Sequence, residues 1–378
     1  MAGPLSHIKV LDLSRVLAGP WSTQILGDMG AEVIKIERPG IGDDTRSWGP
    51  PFQKNPDGSD GDAAYFHSTN RNKISRSIDI TTKAGQEEIK KLAKECDILV
   101  ENYKVGGLKK YGLDYDSLSK INPALIYCSI TGFGQTGPYA NRAGYDFMIQ
   151  AMGGMMSITG ERDENGGGPQ KVGVAIADVM TGMYATVGIL GALTHRDKTG
   201  EGQYIDVALL DTQIAMLANH TSNYLLSGNV PKRLGNEHVS IVPYQTFKTE
   251  DGDLVLAIGN DTQFETFCKL IGEDWAGNPA FKTNAARVEN RKKLIPLISE
   301  VIKTRATENW VALLEKHGVP CGPVNTLADI LSNKHVKHRE TIQKIKDENG
   351  NEIPFIANPI KYSKTPMEYK RVPPKLSD

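Results

Sequence analysis

The chain has 378 residues, enough for two domains or three at the usual ~100–200 residues each. Hydrophobic residues make up 39% and charged residues 24%, with 38 glycines, which excludes a disordered chain, a collagen-like repeat and a small disulfide-stapled scaffold. Lys and Arg number 44 against 45 Asp and Glu, and the net charge of -1 argues against a dedicated nucleic-acid binder while allowing a local basic pocket for a small anion.

Strand-like and helix-like segments alternate through the first 150 residues. Ile8–Leu13 reads as a short apolar strand, and Pro20–Met29 as a helix with Pro20 in its first turn and Gly30 to end it. Ala31–Ile36 is a second strand and Ser75–Ile80 a third, separated by a polar loop over Gly40–Asp62 that is too long to be a simple connection. Ala84–Lys94 is an amphipathic helix, Ile98–Glu101 a fourth strand and Leu125–Thr131 a fifth. Asp178–Arg196 carries Met180, Met183, Tyr184, Val187, Leu190 and Leu193 at helical spacing among small residues, and predicts a buried, closely packed helix. Tyr204–Leu209 is a further strand and Asp211–Leu226 a further helix. The pattern breaks around Ser227–Glu237, where a domain boundary is expected. Strands near Tyr244–Lys248 and Leu254–Ile258 follow, then helices at Thr262–Ile271, Arg291–Thr304 and Glu308–His317, and a Pro- and Gly-rich final segment after Gly318. The expected fold is α/β: a doubly wound, Rossmann-like parallel sheet domain over 1–226, a smaller α+β domain over 227–330 and a C-terminal segment over 331–378.

Cys96, Cys128, Cys268 and Cys321 are widely spaced with no CxxC pair, so zinc and thioredoxin-type readings fail and four free thiols in a reducing, cytoplasmic setting are expected. The first seven residues show no basic and apolar secretory pattern, and no apolar run reads as long enough to span a membrane. Eight scattered histidines lack ligand spacing, so no metal is expected.

Gly132-Phe133-Gly134-Gln135-Thr136-Gly137 matches the GxGxxG dinucleotide fingerprint. The fingerprint works by opening a helix whose N-terminus holds a pyrophosphate, but here Pro138 follows with no helical period, so a glycine-rich turn is the better reading and NAD is not expected. Asp178 stands where the apolar helix begins. Its ordinary reading is an N-cap; its functional reading is a carboxylate kept ionised by the helix dipole and able to attack an activated acyl group. Basic residues gather near strand ends, among them Arg38, Arg46, Arg71, Lys73, Arg76, Lys104, Lys109 and Lys110. Ligands of open parallel sheets bind at the carboxyl ends of strands, so Arg38 and Lys104 could receive a phosphate-bearing cofactor.

These blocks, in this order, resemble the class III CoA-transferases, the family of formyl-CoA transferase and carnitine CoA-transferase. The resemblance covers nearly the whole chain. It is carried by VLDLSRVLAGPWSTQILGDMG, AEVIKIERPGIGDDTR, NRNK, DILVENYKVGGLKKYGLD, LIYCSITGFGQTGPY, GYDFMIQAMGG, IADVMTGMYA, HRDKTGEGQYIDVALLD and GVPCGPV. It implies that Asp178 is the catalytic nucleophile and that CoA, as an acyl-CoA substrate, contacts Val16, Ala18, Arg38, Ile78, Asp79, Ile80, Thr81, Asn102, Tyr103, Lys104, Lys110, Tyr145 and Asp146. It also implies an interlocked homodimer whose C-terminal segment returns to the first domain, and relatives that continue past Pro373–Asp378 into a further helix.

Three departures refine this. Leu17 stands where formyl-CoA transferase has a polar residue, and Lys110 stands for an arginine, keeping charge but not bidentate geometry. The related alpha-methylacyl-CoA racemases have a catalytic His where this chain has Tyr145, and a tyrosine (pKa ~10) is a poor base at neutral pH, which places racemase below transferase. LGNEHVSIVPYQTFKTEDG lacks the glycine run of formyl-CoA transferase and, with GDDTRSWGPPF, resembles the dicarboxylate branch, the succinyl-CoA:glutarate or hydroxymethylglutarate transferases, with an oxalate-type acceptor as the alternative. A second acceptor carboxylate then needs a partner, for which Arg46, Arg71 and His238 are the expected candidates.

Overall fold

The computed structural model describes residues 2–55, 57–348 and 350–377. The chain divides into two compact units. One runs from the N-terminus to Met155 and adds Lys171–Asn229 and the chain from His335 onward; the other takes Met156–Gln170 and Val230–Lys334. Sequence reading left Met156–Gln170 with the large domain, because nothing in its composition marks it off.

The first unit is built on a six-stranded parallel sheet. Its strands are β1 (Lys9–Asp12), β2 (Glu32–Glu37), β3 (Lys73–Ser77), β4 (Ile98–Glu101), β5 (Ile126–Thr131) and β6 (Tyr204–Ala208), in the order β3-β2-β1-β4-β5-β6. The order reverses between β1 and β4, and the crevice beyond their carboxyl ends is where such sheets bind ligands. Both faces are covered, and the inner strands β4 and β5 are mainly apolar. Val10, Val33, Ile98, Val100 and Ile126 point to one core, and Leu11, Ile36, Leu99 and Tyr127 to the other. Helix α1 (Ala18–Asp28) connects β1 to β2, and α2 (Lys83–Glu95) connects β3 to β4. β3 begins two residues before the expected strand, because Lys73 lies inside the core and finds ionic partners there.

The predicted apolar helix is α4 (Ile176–Thr199), preceded by the short α3 (Asp146–Met152). By length and composition α4 could cross a membrane, which corrects the expectation from sequence that no run is long enough. In this fold its Ala177, Ala185, Ile189 and Ala192 belong to the first core. Close approach is real at Gly182, where an added Cβ would lie 2.5 Å from the Ala18 carbonyl oxygen of α1, and Ser22 and Thr186 hydroxyls meet at 3.0 Å beside it. It is not real at Gly191, which faces open space. The helix is therefore not buried all round: Tyr184 and Val187 are exposed on the same side. The expected helix over Asp211–Leu226 is two, Leu209–Met216 and Asn219–Ser227, broken at Ala218 with φ +43°. The long polar loop holds a hairpin, Phe52–Lys54 against Asp60–Ala63.

The second unit has an antiparallel sheet of β7 (Tyr244–Lys248), β8 (Asp253–Ala257) and β9 (Cys321–Pro323), in the order β9-β8-β7. Helices Asp261–Ile271, Arg291–Ile302 and Thr307–Lys316 supply Phe264, Phe267, Leu294, Ile298 and Trp310 to its core. β9 and a hairpin of Ile342–Lys346 with Glu352–Ile356 lie in the Pro- and Gly-rich final segment.

The C-terminal segment docks beside β3 within the first unit. Asn72 N–H donates to the Arg371 carbonyl at 3.0 Å, and the Asn72 side-chain oxygen accepts the Lys370 amide at 2.8 Å. Ser77 N–H donates to the Ser377 hydroxyl at 2.7 Å.

Candidate active site

Asp178 is the third residue of α4, not its cap; the N-cap is Ala175, whose side chain can accept nothing. The exposed amides of that first turn are capped from α3 instead. Asp146 Oδ1 accepts the Ala177 amide at 2.8 Å and the Asp178 amide at 3.3 Å. Gln150 fixes this carboxylate by donating to Asp146 Oδ2 at 2.7 Å, and its own carbonyl accepts the Val172 amide at 2.9 Å. Gly132 and Gly144 set the approach of α3, since a Cβ on Gly132 would lie 2.5 Å from the Gly144 Cα. The glycines of the GxGxxG look-alike thus serve a turn and a backbone crossing, and no helix opens there.

This arrangement reverses the expected electrostatics of Asp178. Burial, and after it the negative charge of Asp146, push its carboxyl up to about 7. The helix dipole favours the anion by only ~0.3–1 kcal/mol, less than one pKa unit, and loses. A carboxylate with this value is half ionised at neutral pH and more basic than an ordinary aspartate, which suits a nucleophile. Changing Asp146→Asn keeps the capping oxygen and removes the charge. The acid limb of a kcat/KM–pH profile should then move below the wild-type position near 7; an unmoved limb would show that Asp146 does not set it.

Tyr65, which sequence reading missed, faces the same charges. Burial and then Asp178, Asp146 and Asp43 push its hydroxyl up to about 12, so it stays a neutral donor. The Trp48 ring meets Tyr65 edge-on at 5.5 Å. Both lie between β2 and β3, Tyr65 in the short helix Ala64–His67, and no spacing in the sequence links that connection to Asp178.

A cavity of about 380 Å3 opens at the carboxyl ends of β1 to β4. Arg38, Ile78, Asp79, Ile80, Thr81, Tyr103, Lys104 and Lys110 line it, so eight residues expected at CoA from three separate stretches meet here. Arg15 lines it too and was missed, as an ordinary surface arginine by sequence. Val16, Ala18, Asn102, Tyr145 and Asp146 are not in its wall. Val16 has φ +70°, and its amide is shared between the two oxygens of Asp43, each at 3.2 Å. Asn102 holds the neighbouring residue from both sides, accepting the Arg15 amide at 3.1 Å and donating to its carbonyl at 2.7 Å. Ala18 opens α1 under Gly182, and Tyr145 is 70% exposed. A second cavity of about 330 Å3 shares Lys104 and Gly107 and is floored by Glu101, Tyr115, Tyr127 and Tyr204.

Two of the residues expected at the acceptor carboxylate, Arg46 and Arg71, have internal partners. Arg46 is 7% exposed and donates to both Glu37 oxygens at 2.8 and 2.7 Å, to Asp62 at 2.7 Å and to the Pro374 carbonyl at 3.1 Å. Arg71 grips both Asp28 oxygens, at 2.9 and 2.5 Å, under the rings of Phe355 and Tyr369. Each neutralises a buried carboxylate, a role that isolated arginines in a sequence do not reveal. His238 belongs to the second unit, where its Nδ1 accepts the Ser240 amide at 3.0 Å.

Beneath the cavity lies a buried ionic cluster. Lys73 donates to Asp12 Oδ2 at 3.0 Å, the Pro20 carbonyl at 3.0 Å and Asn70 Oδ1 at 2.9 Å. Burial pulls the Lys73 ammonium down to about 8 although Asp12 opposes this. For Asp12, the upward push of burial is outweighed by Lys73, Lys35, Ser14 and Thr23, which leave it at about 2. The four cysteines are free thiols, and no metal-holding group of His, Cys, Asp or Glu occurs among the described residues.

Comparison with known proteins gives the family. The model of CoA-transferase family III matches residues 5–378. A succinate–glutarate CoA-transferase of Agrobacterium fabrum is 48% identical over 376 residues, covering 99% of this chain and 93% of its own. The human succinyl-CoA:glutarate CoA-transferase is 45% identical over 374 residues, covering 99% and 83%. Among solved structures, a CAIB/BAIF family protein from Brucella suis superposes with a TM-score of 0.87 at 50% identity, covering 100% of this chain and 97% of its own. The chain belongs to CoA-transferase family III and is a CoA-transferase.

Proposed function

We propose that this enzyme moves CoA from succinyl-CoA to a short dicarboxylate such as glutarate, through a thioester on Asp178. The observation that carries this is the placement of Asp178: a carboxyl raised to about 7, on the first turn of α4, in a chain 45–48% identical to succinate–glutarate transferases. An Asp178 oxygen attacks the thioester carbonyl; the C–S bond breaks, giving a mixed anhydride and CoA thiolate. The thiolate attacks the aspartyl carbonyl of the anhydride, forming aspartyl-CoA thioester and releasing succinate. The acceptor carboxylate then runs both steps in reverse order. Thioester is exchanged for thioester, so no energy source is needed. CoA occupies the cavity at the strand ends, where Arg38, Lys104 and Lys110 meet its phosphates.

Digestion after incubation with succinyl-CoA should yield an Asp178 peptide carrying CoA, or a hydroxamate after hydroxylamine. No adduct, together with an active Asp178→Ala variant, would refute the path. A panel of glutarate, hydroxymethylglutarate, oxalate, malate and itaconate identifies the acceptor.

We also propose a homodimer, interlocked as in the family. Tyr184 and Val187 are 46% and 61% exposed on α4, and Leu225 and Leu226 are 74% and 89% exposed on the Asn219–Ser227 helix. Light scattering on the purified enzyme should give twice the chain mass; a single-chain mass at micromolar concentration would count against it.

A further inference from the structure

Arg15, Arg38, Lys104 and Lys110 stand round the cavity at the strand ends. Lys104 and Lys110 have no carboxylate partner among the described residues, whereas the two arginines share one. Arg15 Nη1 is 2.8 Å from Asp44 Oδ2, and Arg38 Nη2 is 3.9 Å from Asp44 Oδ1. They reach it from different loops, Arg15 after β1 and Arg38 after β2. The acids that line the cavity have internal partners: Glu37 is held by Arg46, Asp43 by Lys35 at 2.9 Å, and Asp79 by the Thr81 amide and hydroxyl at 2.9 and 2.7 Å. The backbones beneath the trio are fixed. Asn102 clamps Arg15 on both its amide and its carbonyl, and Asp43 caps the Asp44–Ser47 turn by accepting the Thr45 amide at 3.0 Å. The side chains, by contrast, are open to solvent: the arginines are 53% and 58% exposed and Asp44 33%.

Exposed ion pairs of this kind contribute only ~0–1 kcal/mol, while arginine forks on phosphate are among the stronger charge-assisted contacts. We propose that Asp44 is an internal surrogate for a phosphate of the CoA ester. Arg15 and Arg38 rest on its carboxylate and turn onto the phosphate when the ester enters, which makes Arg15 a further cofactor-binding residue. This rests on the assignment of the cavity to CoA made above. No covalent bond changes; two ion pairs are exchanged, and the carboxylate left beside the phosphate opposes binding. Asp44 therefore competes with the ligand for the arginines.

Calorimetric titration of the full chain with CoA tests the sign. Asp44→Asn should tighten CoA by about two- to five-fold, the loss of one exposed pair at 1.4 kcal/mol per tenfold. Arg15→Ala should weaken CoA by about tenfold or more, and Arg15→Lys should restore only part of it. With pantetheine, which has no phosphate, neither change should matter. Unchanged or weaker CoA binding by Asp44→Asn would overturn the proposal, because the carboxylate would then be aligning the arginines. Unchanged binding by Arg15→Ala would overturn it as well. If the unaltered chain bound no CoA, the assignment of the cavity would fall and this proposal with it; CoA binding with the wrong sign in Asp44→Asn would remove the surrogate role alone.

Discussion

Asp178→Asn should lower CoA transfer by at least ~10^3-fold, a loss typical of removing a covalent nucleophile, while the protein itself becomes more stable above neutral pH. The stability sign follows from the raised carboxyl. Its ordinary value is 3.8 and its folded value about 7, so between these the native state holds a proton that the unfolded chain releases. Stability contributed by this group is present below pH 4 and falls as pH rises to about 7, where the native state must bear a poorly hydrated charge beside Asp146. The amide carries no such charge. Melting curves of the variant and the wild type should therefore coincide near pH 3 and separate at pH 8, with the variant melting higher. A variant that melts lower at pH 8, or that keeps its transfer rate, would contradict the placement of strain at the nucleophile. Such a trade of stability for reactivity is what a pre-built anionic nucleophile requires.

Lys73→Met should have the largest effect on folding, a loss of about 3–5 kcal/mol in unfolding free energy, seen as a lower urea midpoint at unchanged slope. The ammonium is fully buried, and its three acceptors come from β1, the first turn of α1 and the loop before β3. Removing it leaves Asp12 in the core with Lys35 as its remaining cationic neighbour. Adding Asp12→Asn should recover part of the loss and not all, because Ser14 and Thr23 also donate to that carboxylate. A loss below 1 kcal/mol for Lys73→Met would mean that water reaches the cluster.

The parallel sheet was legible because apolar runs such as Ile98–Glu101 are bounded by turn residues, and the helices of the second unit because their apolar periods are unbroken. The edges of β3 were misplaced because a lysine in a strand looks like a boundary, while here it is the strand's most buried charge. The hairpin inside Gly40–Asp62 and the strand Cys321–Pro323 have too few apolar residues to alternate visibly. At the site, the residues of the cavity were readable as separate stretches whose convergence the sheet supplies. The internal partners of Arg46 and Arg71 were not legible for a general reason: an arginine that binds a substrate and one that neutralises an internal acid share one letter, and the acid, Glu37 or Asp28, lies in another element. Asp146 as the cap of α4, and Tyr65 near Asp178, depend on tertiary placement alone.

The docking of the C-terminal segment beside β3 bears on solubility. β3 pairs only with β2, so its outer rim is the kind of unpaired strand border that recruits strands from other molecules. Bonds from Asn72 and Ser77, at either end of that rim, to Arg371 and Ser377 close it off. The polar, proline-bearing tail, with Pro373 and Pro374 between those anchors, is itself a poor template for further pairing. Proteolytic nicking upstream of Arg371 would thus do more than shorten the chain: it would bare a sticky border, and self-association would precede any loss of catalytic groups.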